Sequence, residues 1–262
     1  MKKLLGILIL CSLAVFFVAG SALAYTINDN YWGDKEGTGS DRDIVGYDYH
    51  FDVDRMEVAI TGSSLTVDIY SRYFNNIGEL GTELGDLFIS TNGWNPSGAP
   101  TYNTDYYYNG ESWEYALVLN DHSGGATSGT LGLYLVDNGE KTFANPDTGN
   151  IILSKFGSNG FRKYQETQVD TRDLSSSAAG NWKIFNSSSD PDTNDYLRFV
   201  IDYSGISDFE DASEYGFHWT MTCANDVIEG SAPVPEPATL LLLGTGLLGL
   251  AGIGRKRFFK KS

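Results

Sequence analysis

The chain has 262 residues, of which 18 are Lys or Arg and 34 are Asp or Glu, giving a formal net charge of −16. Residues 25–232 hold 11 of the basic and 33 of the acidic residues, so their net charge is 11 − 33 = −22. This acidic body is repelled by nucleic-acid phosphate and by anionic membrane surfaces, which argues against binding to either. The chain also has 30 Gly, 16 Tyr and 14 Phe, a composition that favours strands joined by turns over disorder.

The first 24 residues have the pattern of a secretory signal peptide. Lys2 and Lys3 form a positively charged start, and Leu4–Val18 is an apolar run. Ala22-Leu23-Ala24 then matches the small-residue pattern of a cleavage site. We therefore predict a signal peptide at residues 1–24 and a mature exported chain that begins at Tyr25. An uncleaved membrane helix is the alternative.

Residues 25–230 read as one all-β domain. Apolar and polar residues alternate with a period of two, the pattern of half-buried strands, and Gly-rich turns such as Asn109-Gly110 separate the runs. We predict a β-sandwich, of jelly-roll type, because many short strands follow one another closely. The alternating segments are 47–54, 65–70, 131–136, 196–202 and 217–223.

Aromatic residues beside predicted turns are candidates for stacking on sugar rings. Trp94 lies in a Gly-Trp-Asn-Pro turn, and Tyr106, Tyr107 and Tyr108 precede Asn109-Gly110. Loop aromatics with nearby amide and carboxylate groups are a common way to bind carbohydrate. The alternative is that these rings cap the ends of the sandwich.

An oxygen-rich segment is a candidate calcium site. Asp190, Asp192 and Asn194 are spaced by two residues and are followed by Asp195, and hard oxygen ligands suit Ca²⁺. The segment is not an EF-hand, because Asp195 stands where that loop needs Gly. An acidic loop that is simply solvated is the alternative, so Ca²⁺ is an optional ligand and no cofactor is required.

Catalytic signatures are missing from the sequence. It contains no H-E-x-x-H, G-x-S-x-G, P-loop or C-x-x-C motif. Cys223 aligns with Trp219 and Met221 and faces away from His218, so we predict a small buried hydrophobe rather than a nucleophile. Glu111 and Glu114 are the best carboxylate pair for glycoside hydrolysis, but on a strand they would face opposite sides. We therefore predict a protein that is not an enzyme.

The C-terminal end has the pattern of a membrane segment. Residues 231–237 are predicted to be a linker, and residues 238–254 are uncharged. Those 17 residues would form about 25 Å of helix, the short limit for crossing a bilayer. The basic residues Arg255, Lys256 and Arg257 come directly after them and place the tail, 255–262, in the cytoplasm.

The arrangement of Val234, Pro235, Glu236 and Pro237 before an apolar helix, with Arg255–Arg257 after it, resembles the PEP-CTERM sorting signal. The same tail is also catalogued as an ice-binding protein C-terminal segment. The resemblance implies export and recognition by an exosortase, a membrane-embedded protease that cuts near Pro-Glu-Pro. It also implies anchoring in the inner membrane before processing, and a final location at the cell surface or outside the cell, in bacteria that make exopolysaccharide and biofilms.

The sequence therefore predicts a non-enzymatic surface or extracellular-matrix protein that is sorted by an exosortase. The alternative is a β-sandwich module that binds carbohydrate, specifically exopolysaccharide, with or without calcium. An enzyme that acts on polysaccharide ranks third.

Overall fold

The structure, a computed structural model, describes residues 23–33, 43–77, 81–136, 149–154, 162, 164–186 and 195–235. Most of the predicted signal peptide lies outside these residues, as do the predicted membrane segment 238–254 and the basic tail 255–262. Glu236 and Pro237 of the sorting signal, and Asp190, Asp192 and Asn194 of the calcium segment, also lie outside them. Within the described part of the chain, no helix is both long enough and apolar enough to cross a bilayer.

The all-β prediction is confirmed. The strands of the described residues are β1 Leu23–Asn28, β2 Val53–Thr61, β3 Ser64–Ser71, β4 Leu87–Ser90, β5 Tyr115–Leu119, β6 Ser128–Leu135, β7 Ile151–Leu153, β8 Glu166–Val169, β9 Ala178–Phe185, β10 Tyr196–Asp202, β11 Glu214–Thr220 and β12 Val227–Pro233. Ten of these strands form one antiparallel sheet in the order β1-β2-β3-β10-β9-β6-β5-β4-β11-β12, and β7 pairs with β8 in a small second sheet.

The large sheet nearly closes on itself at a seam between its edge strands, β1 and β12. A Cβ placed on Gly230 of β12 would lie 2.5 Å from Cγ2 of Ile27 in β1, so the side chain of Ile27 rests directly on the backbone of β12. Only glycine allows this approach. The curled sheet thereby surrounds one apolar core, to which most of its strands contribute.

The alternating pattern predicted the core-facing residues of several strands. Leu65, Val67 and Ile69 of β3 are fully buried, as the pattern in residues 65–70 predicted. The prediction for residues 131–136 is wrong at its end, because Leu135 is 58% exposed. Leu135 is the last residue of β6, where the strand runs past the core.

The predicted strand over residues 47–54 is wrong. Asp48–Phe51 forms one turn of helix, and the backbone N–H of His50 donates to the carbonyl of Tyr47 at 2.9 Å. Gly46, with φ of +111°, turns the chain just before this helix. β2 therefore begins only at Val53, whose N–H donates to the Asp226 carboxylate at 2.7 Å.

The predicted linker is also shorter than expected, because residues 231–233 complete β12. Beyond them, the N–H of Val234 donates to the carbonyl of Ser213 at 2.9 Å, and Val234 packs against the main core. The fold therefore continues up to the first proline of the sorting signal.

The small sheet covers part of the outer face of the large one. β4, β5 and β11 are buried on both faces, and the outward side chains of this region join a second apolar cluster with β7 and β8. Phe88, Trp113, Val118, Leu153 and Val169 belong to that cluster. Polar groups in this region are consequently shut off from water and need partners inside the protein.

Asp86 connects the two layers. It is fully buried, and its carboxylate accepts hydrogen bonds from the N–H of Leu119 in β5 at 3.0 Å and of Val169 in β8 at 2.9 Å. The Nε2 atom of His122 lies 2.7 Å from the same carboxylate. One side chain thus satisfies donors from both sheets.

We expect Asp86→Ala to lower the free energy of unfolding by about 3 kcal/mol, because it leaves buried N–H groups without an acceptor. Urea denaturation followed by tryptophan fluorescence measures this loss. Asp173→Ala, at an exposed position, is the control and should change stability by less than about 0.5 kcal/mol. Equal stabilities of the two variants would contradict the assigned role of Asp86.

Candidate functional site

A pocket of about 370 Å³ opens at the seam of the large sheet. Residues 25–28 of β1 form one wall, and residues 229–231 of β12 form the other. The loop residues Trp94 and 100–102 close the third side. We call this cavity the seam pocket. Its volume lies within the range of about 300–1,000 Å³ that is usual for small-molecule sites.

The loop that carries Trp94 lies directly on β11. A Cβ on Gly216 of β11 would sit 2.5 Å from the carbonyl oxygen of Gly93 and 3.3 Å from the Cα of Trp94, so glycine is required there. Glu111 and Glu114 hold the same loop, because their carboxylates accept from the N–H groups of Asn95 at 2.7 Å and Thr91 at 3.0 Å. The carboxylate pair considered for hydrolysis therefore braces this loop.

Trp94 is anchored to a buried acid of β12. Its indole N–H donates to Oε2 of Glu229 at 2.9 Å, and the ring meets Tyr102 edge to face with 5.1 Å between centroids. Glu229 is only 5% exposed, and its other oxygen lies 2.7 Å from Nδ1 of His218. His218 and Glu229 are directly opposite each other in the β11–β12 pair, which explains why they meet.

His218 is fully buried between the two layers. Its Nε2 lies 2.7 Å from the carbonyl oxygen of Glu166, which can only accept, so this nitrogen carries a proton. Burial by itself lowers the pKa of His218, but the hydrogen bond and the charge of Glu229 outweigh burial and hold that pKa above its ordinary value. His218 thus provides a hydrogen-bond partner for a carboxylate that is shut off from water.

Asp105 forms a second buried acid beside the pocket. The hydroxyl of Tyr31, a pocket residue, donates to its Oδ2 at 3.1 Å, and Asp105 is 1% exposed. Burial, together with the nearby charge of Glu229, raises the pKa of Asp105 to about 7. A carboxyl group of this kind is largely protonated in mildly acidic solution.

The other aromatic candidates do not line the seam pocket. Tyr106 and Tyr108 are half-buried and contact each other edge to face at 5.7 Å. Tyr107 is fully buried in the second apolar cluster, so its proposed role in stacking on sugars is wrong. Its backbone N–H donates to the carbonyl of Tyr164 at 3.1 Å, which fixes the loop from inside. Of the four predicted aromatics, the structure places Trp94 at a cavity.

Of the four candidate calcium ligands, Asp195 is the one that lies within the described residues. Asp195 is 2% exposed, and its Oδ2 accepts from the side-chain amide of Asn75. Its carbonyl also accepts from the N–H of Ser71 at 3.1 Å, which ties the start of β10 to the end of β3. Among the described residues, no group of three or more His, Cys, Asp or Glu is arranged to hold a metal ion.

A separate buried cluster surrounds Arg162. Its guanidinium donates to main-chain carbonyls in three segments, at Trp32 with 2.6 Å, at Asn225 with 2.5 Å, and at Asp43. Burial raises the pKa of Asp29 and Asp226 well above the usual range and the charge of Asp43 adds to it, whereas Arg162 acts in the opposite direction. Arg162 therefore clamps loops together and partly balances buried acids.

Cys223 is buried as predicted, although β11 ends at Thr220 and Cys223 lies in the turn that follows rather than in the predicted strand. It is 3% exposed within the main core, together with Phe217, Trp219 and Met221. Burial raises the pKa of its thiol to about 12, so the thiol is protonated at neutral pH.

Sequence reasoning missed Glu229, Asp105 and Tyr31. The signal for Glu229 was present, because a hairpin with its turn near residues 221–226 places His218 opposite Glu229. Asp105 and Tyr31 are 74 residues apart in the chain and carry no local pattern that pairs them.

The comparisons with known proteins concern the C-terminal end of the chain. A family model described as the PEP-CTERM protein-sorting motif matches residues 233–257. This chain carries a PEP-CTERM sorting motif. The match covers the predicted signal from Val234 through Arg257 and starts at Pro233, the last residue of β12. No similar curated protein and no similar solved structure was found.

The PEP-CTERM motif indicates that this protein is exported and anchored in the membrane. An exosortase then processes it, and the protein reaches the surface.

We expect stability to depend on pH through Asp105. Its folded pKa of about 7 lies above the unfolded value of about 3.9, so its contribution is complete below about pH 4 and is lost as the pH rises towards 7. Asp105→Asn imitates the protonated form at every pH. The free energy of unfolding of this variant, relative to that of the wild type, should therefore increase by up to about 1.4 kcal/mol per pH unit as the pH rises through this window.

Urea denaturation at pH 4 to 8 provides the measurement for Asp105→Asn. Asp211→Asn, at an exposed site, should follow the wild-type curve throughout. If the Asp105→Asn curve ran parallel to the wild-type curve, the elevated pKa would be refuted.

Proposed function

We propose that this chain is a non-enzymatic surface or extracellular-matrix protein that an exosortase cuts near Pro235-Glu236-Pro237. The match of the PEP-CTERM motif to residues 233–257 carries this proposal. The absence of catalytic motifs from the sequence and the buried, protonated thiol of Cys223 support a body without catalytic activity.

The topology of the body supports the same sorting route. All neighbouring strands of the ten-stranded sheet are antiparallel, so β1 at one edge and β12 at the other run in opposite directions. The start of β1, where the predicted signal peptide ends, therefore lies at the same end of the sheet as the end of β12, where the sorting motif begins. Both ends of the body therefore leave the sheet on one side, which is compatible with a leader and a tail that enter the same membrane.

We expect Glu236→Gln to leave uncut precursor in the membrane fraction of the native host, because the substitution removes the only charge of the Pro-Glu-Pro site. Immunoblots of membrane and culture fractions measure this change. Glu210→Gln, on the exposed surface of the body, is the control and should be processed like the wild type. Normal processing of Glu236→Gln would count against exosortase recognition through this motif.

A second candidate function is carbohydrate binding by the body. The seam pocket favours it, because the pocket combines the aromatic rings of Trp94 and Tyr102 with amide and hydroxyl groups. A sugar ring has an apolar face of C–H groups and a rim of hydroxyls, and this mixture of groups suits both. Exopolysaccharide is the carbohydrate that a protein exported from such bacteria would meet.

We expect the full chain, purified in detergent micelles, to bind at least one oligosaccharide on a glycan array. Arrays with Ca²⁺ and with EDTA decide whether calcium takes part: loss of binding in EDTA would assign calcium a role. Absence of binding under both conditions would remove this second function and leave the sorting proposal intact.

A further inference from the structure

We propose that the seam pocket is the glycan site and that it takes neutral or amino sugars rather than acidic ones. This proposal rests on the carbohydrate-binding function above and specifies its ligand. The edge strands of the sheet supply two walls of the pocket, and the loop of Trp94 supplies the third. A short saccharide segment that enters between the strands would lie against the indole ring.

The position of Trp94 is determined by buried contacts rather than by the surface. The bond from its indole N–H to Glu229, and the bond from Glu229 to His218, lead from the pocket to a fully buried imidazole. The Glu111 and Glu114 carboxylates hold the backbone on both sides of Trp94. A ring fixed in this way offers a flat apolar surface without losing side-chain entropy when a ligand binds.

The backbone of residues 101–102, which line the pocket beside Trp94, is strained. Thr101 and Tyr102 have φ values of +81° and +48°, a region that non-glycine residues rarely occupy. The N–H of Trp32 donates to the carbonyl of Thr101 at 2.8 Å and helps to hold the loop there. Such strain persists where surrounding contacts enforce it, and it is concentrated at ligand-binding sites.

Charge selects the class of sugar. Neither Lys nor Arg is among the described residues that line the pocket, and Glu229 is its acidic member. The body around it, residues 25–232, carries a net charge of −22. The negative electrostatic potential of the body repels a uronic acid or another anionic sugar. It does not affect a neutral sugar, and it attracts the ammonium group of an amino sugar.

Polar side chains at the rim of the seam pocket can recognise the hydroxyl groups of a sugar. Asn28 at the end of β1 and Asn30 after it are both exposed and line the pocket, and Ser231 faces them from β12. An amide offers both a donor and an acceptor, which suits the hydroxyl groups of a sugar. Asn28 lies at the surface, so it can be replaced without disturbing the core.

The test uses the full chain in detergent micelles and three linear oligosaccharides of equal length, built from glucose, glucosamine or glucuronic acid. Isothermal titration calorimetry should show binding to the glucose or glucosamine oligomer at least tenfold tighter than to the glucuronic acid oligomer. Trp94→Ala should weaken that binding about tenfold or more. Tyr106→Ala, which removes a loop aromatic outside the pocket, is the matched control and should bind like the wild type.

Asn28→Lys keeps the experiment decisive if Trp94→Ala fails to fold, which circular dichroism would detect. A cation at the rim should tighten binding of the glucuronic acid oligomer and weaken binding of the glucosamine oligomer. Saccharide binding that neither Trp94→Ala nor Asn28→Lys alters would overturn the site but keep the carbohydrate-binding function. A preference of the wild type for glucuronic acid would overturn the charge argument. No binding to any of the three oligomers would overturn the assignment of the seam pocket to neutral and amino sugars, and the glycan array then decides whether the carbohydrate-binding function remains.

Discussion

The contact of Ile27 with Gly230 is the constraint on which the rest of the body depends. β1 and β12 are the two edges of the sheet, and in the described part of the chain they are not hydrogen-bonded to each other. Apolar packing across the seam therefore closes the core where the hydrogen-bond ladder stops, and the missing Cβ of Gly230 makes that packing close enough. Because the ladder is open there, the seam is also where the sheet leaves room for a pocket.

Burial of both faces of β4, β5 and β11 determines the polar architecture. A strand that faces the core on one side and β7 and β8 on the other cannot expose its polar side chains to water. Two buried polar groups here are instead matched inside the protein: Asp86, which directly precedes β4, with backbone N–H groups, and His218 of β11 with Glu229 and a carbonyl. The bond that fixes Trp94 is the outermost link of that buried network, so the geometry of the pocket is coupled to the stability of the two layers.

The alternating pattern of the sequence predicted which residues of a strand face the core. In β3 it identified the buried residues, and it predicted the burial of Cys223, although β11 ends at Thr220 and Cys223 lies in the turn that follows. It failed at Asp48–Phe51, where local hydrogen bonds outweigh an alternating pattern, and at Tyr107, since a run of three tyrosines in a loop does not reveal which ring points inward. The seam pocket could not be predicted, because it joins β1, β12 and the loop of Trp94 across more than 200 residues.

The end of the fold relates the sorting motif to the pocket. β12 contributes residues 229–231 to the pocket wall and ends at Pro233, and Val234 is still held by its bond to Ser213. A cut near Pro235-Glu236-Pro237 would therefore remove the predicted membrane segment without removing a pocket residue. Because the wall is fixed by pairing of β12 with β11 and by the packing of Ile27, it keeps the same support in the precursor and in the processed chain. On this reasoning, processing changes where the pocket is presented and leaves its chemistry unaltered.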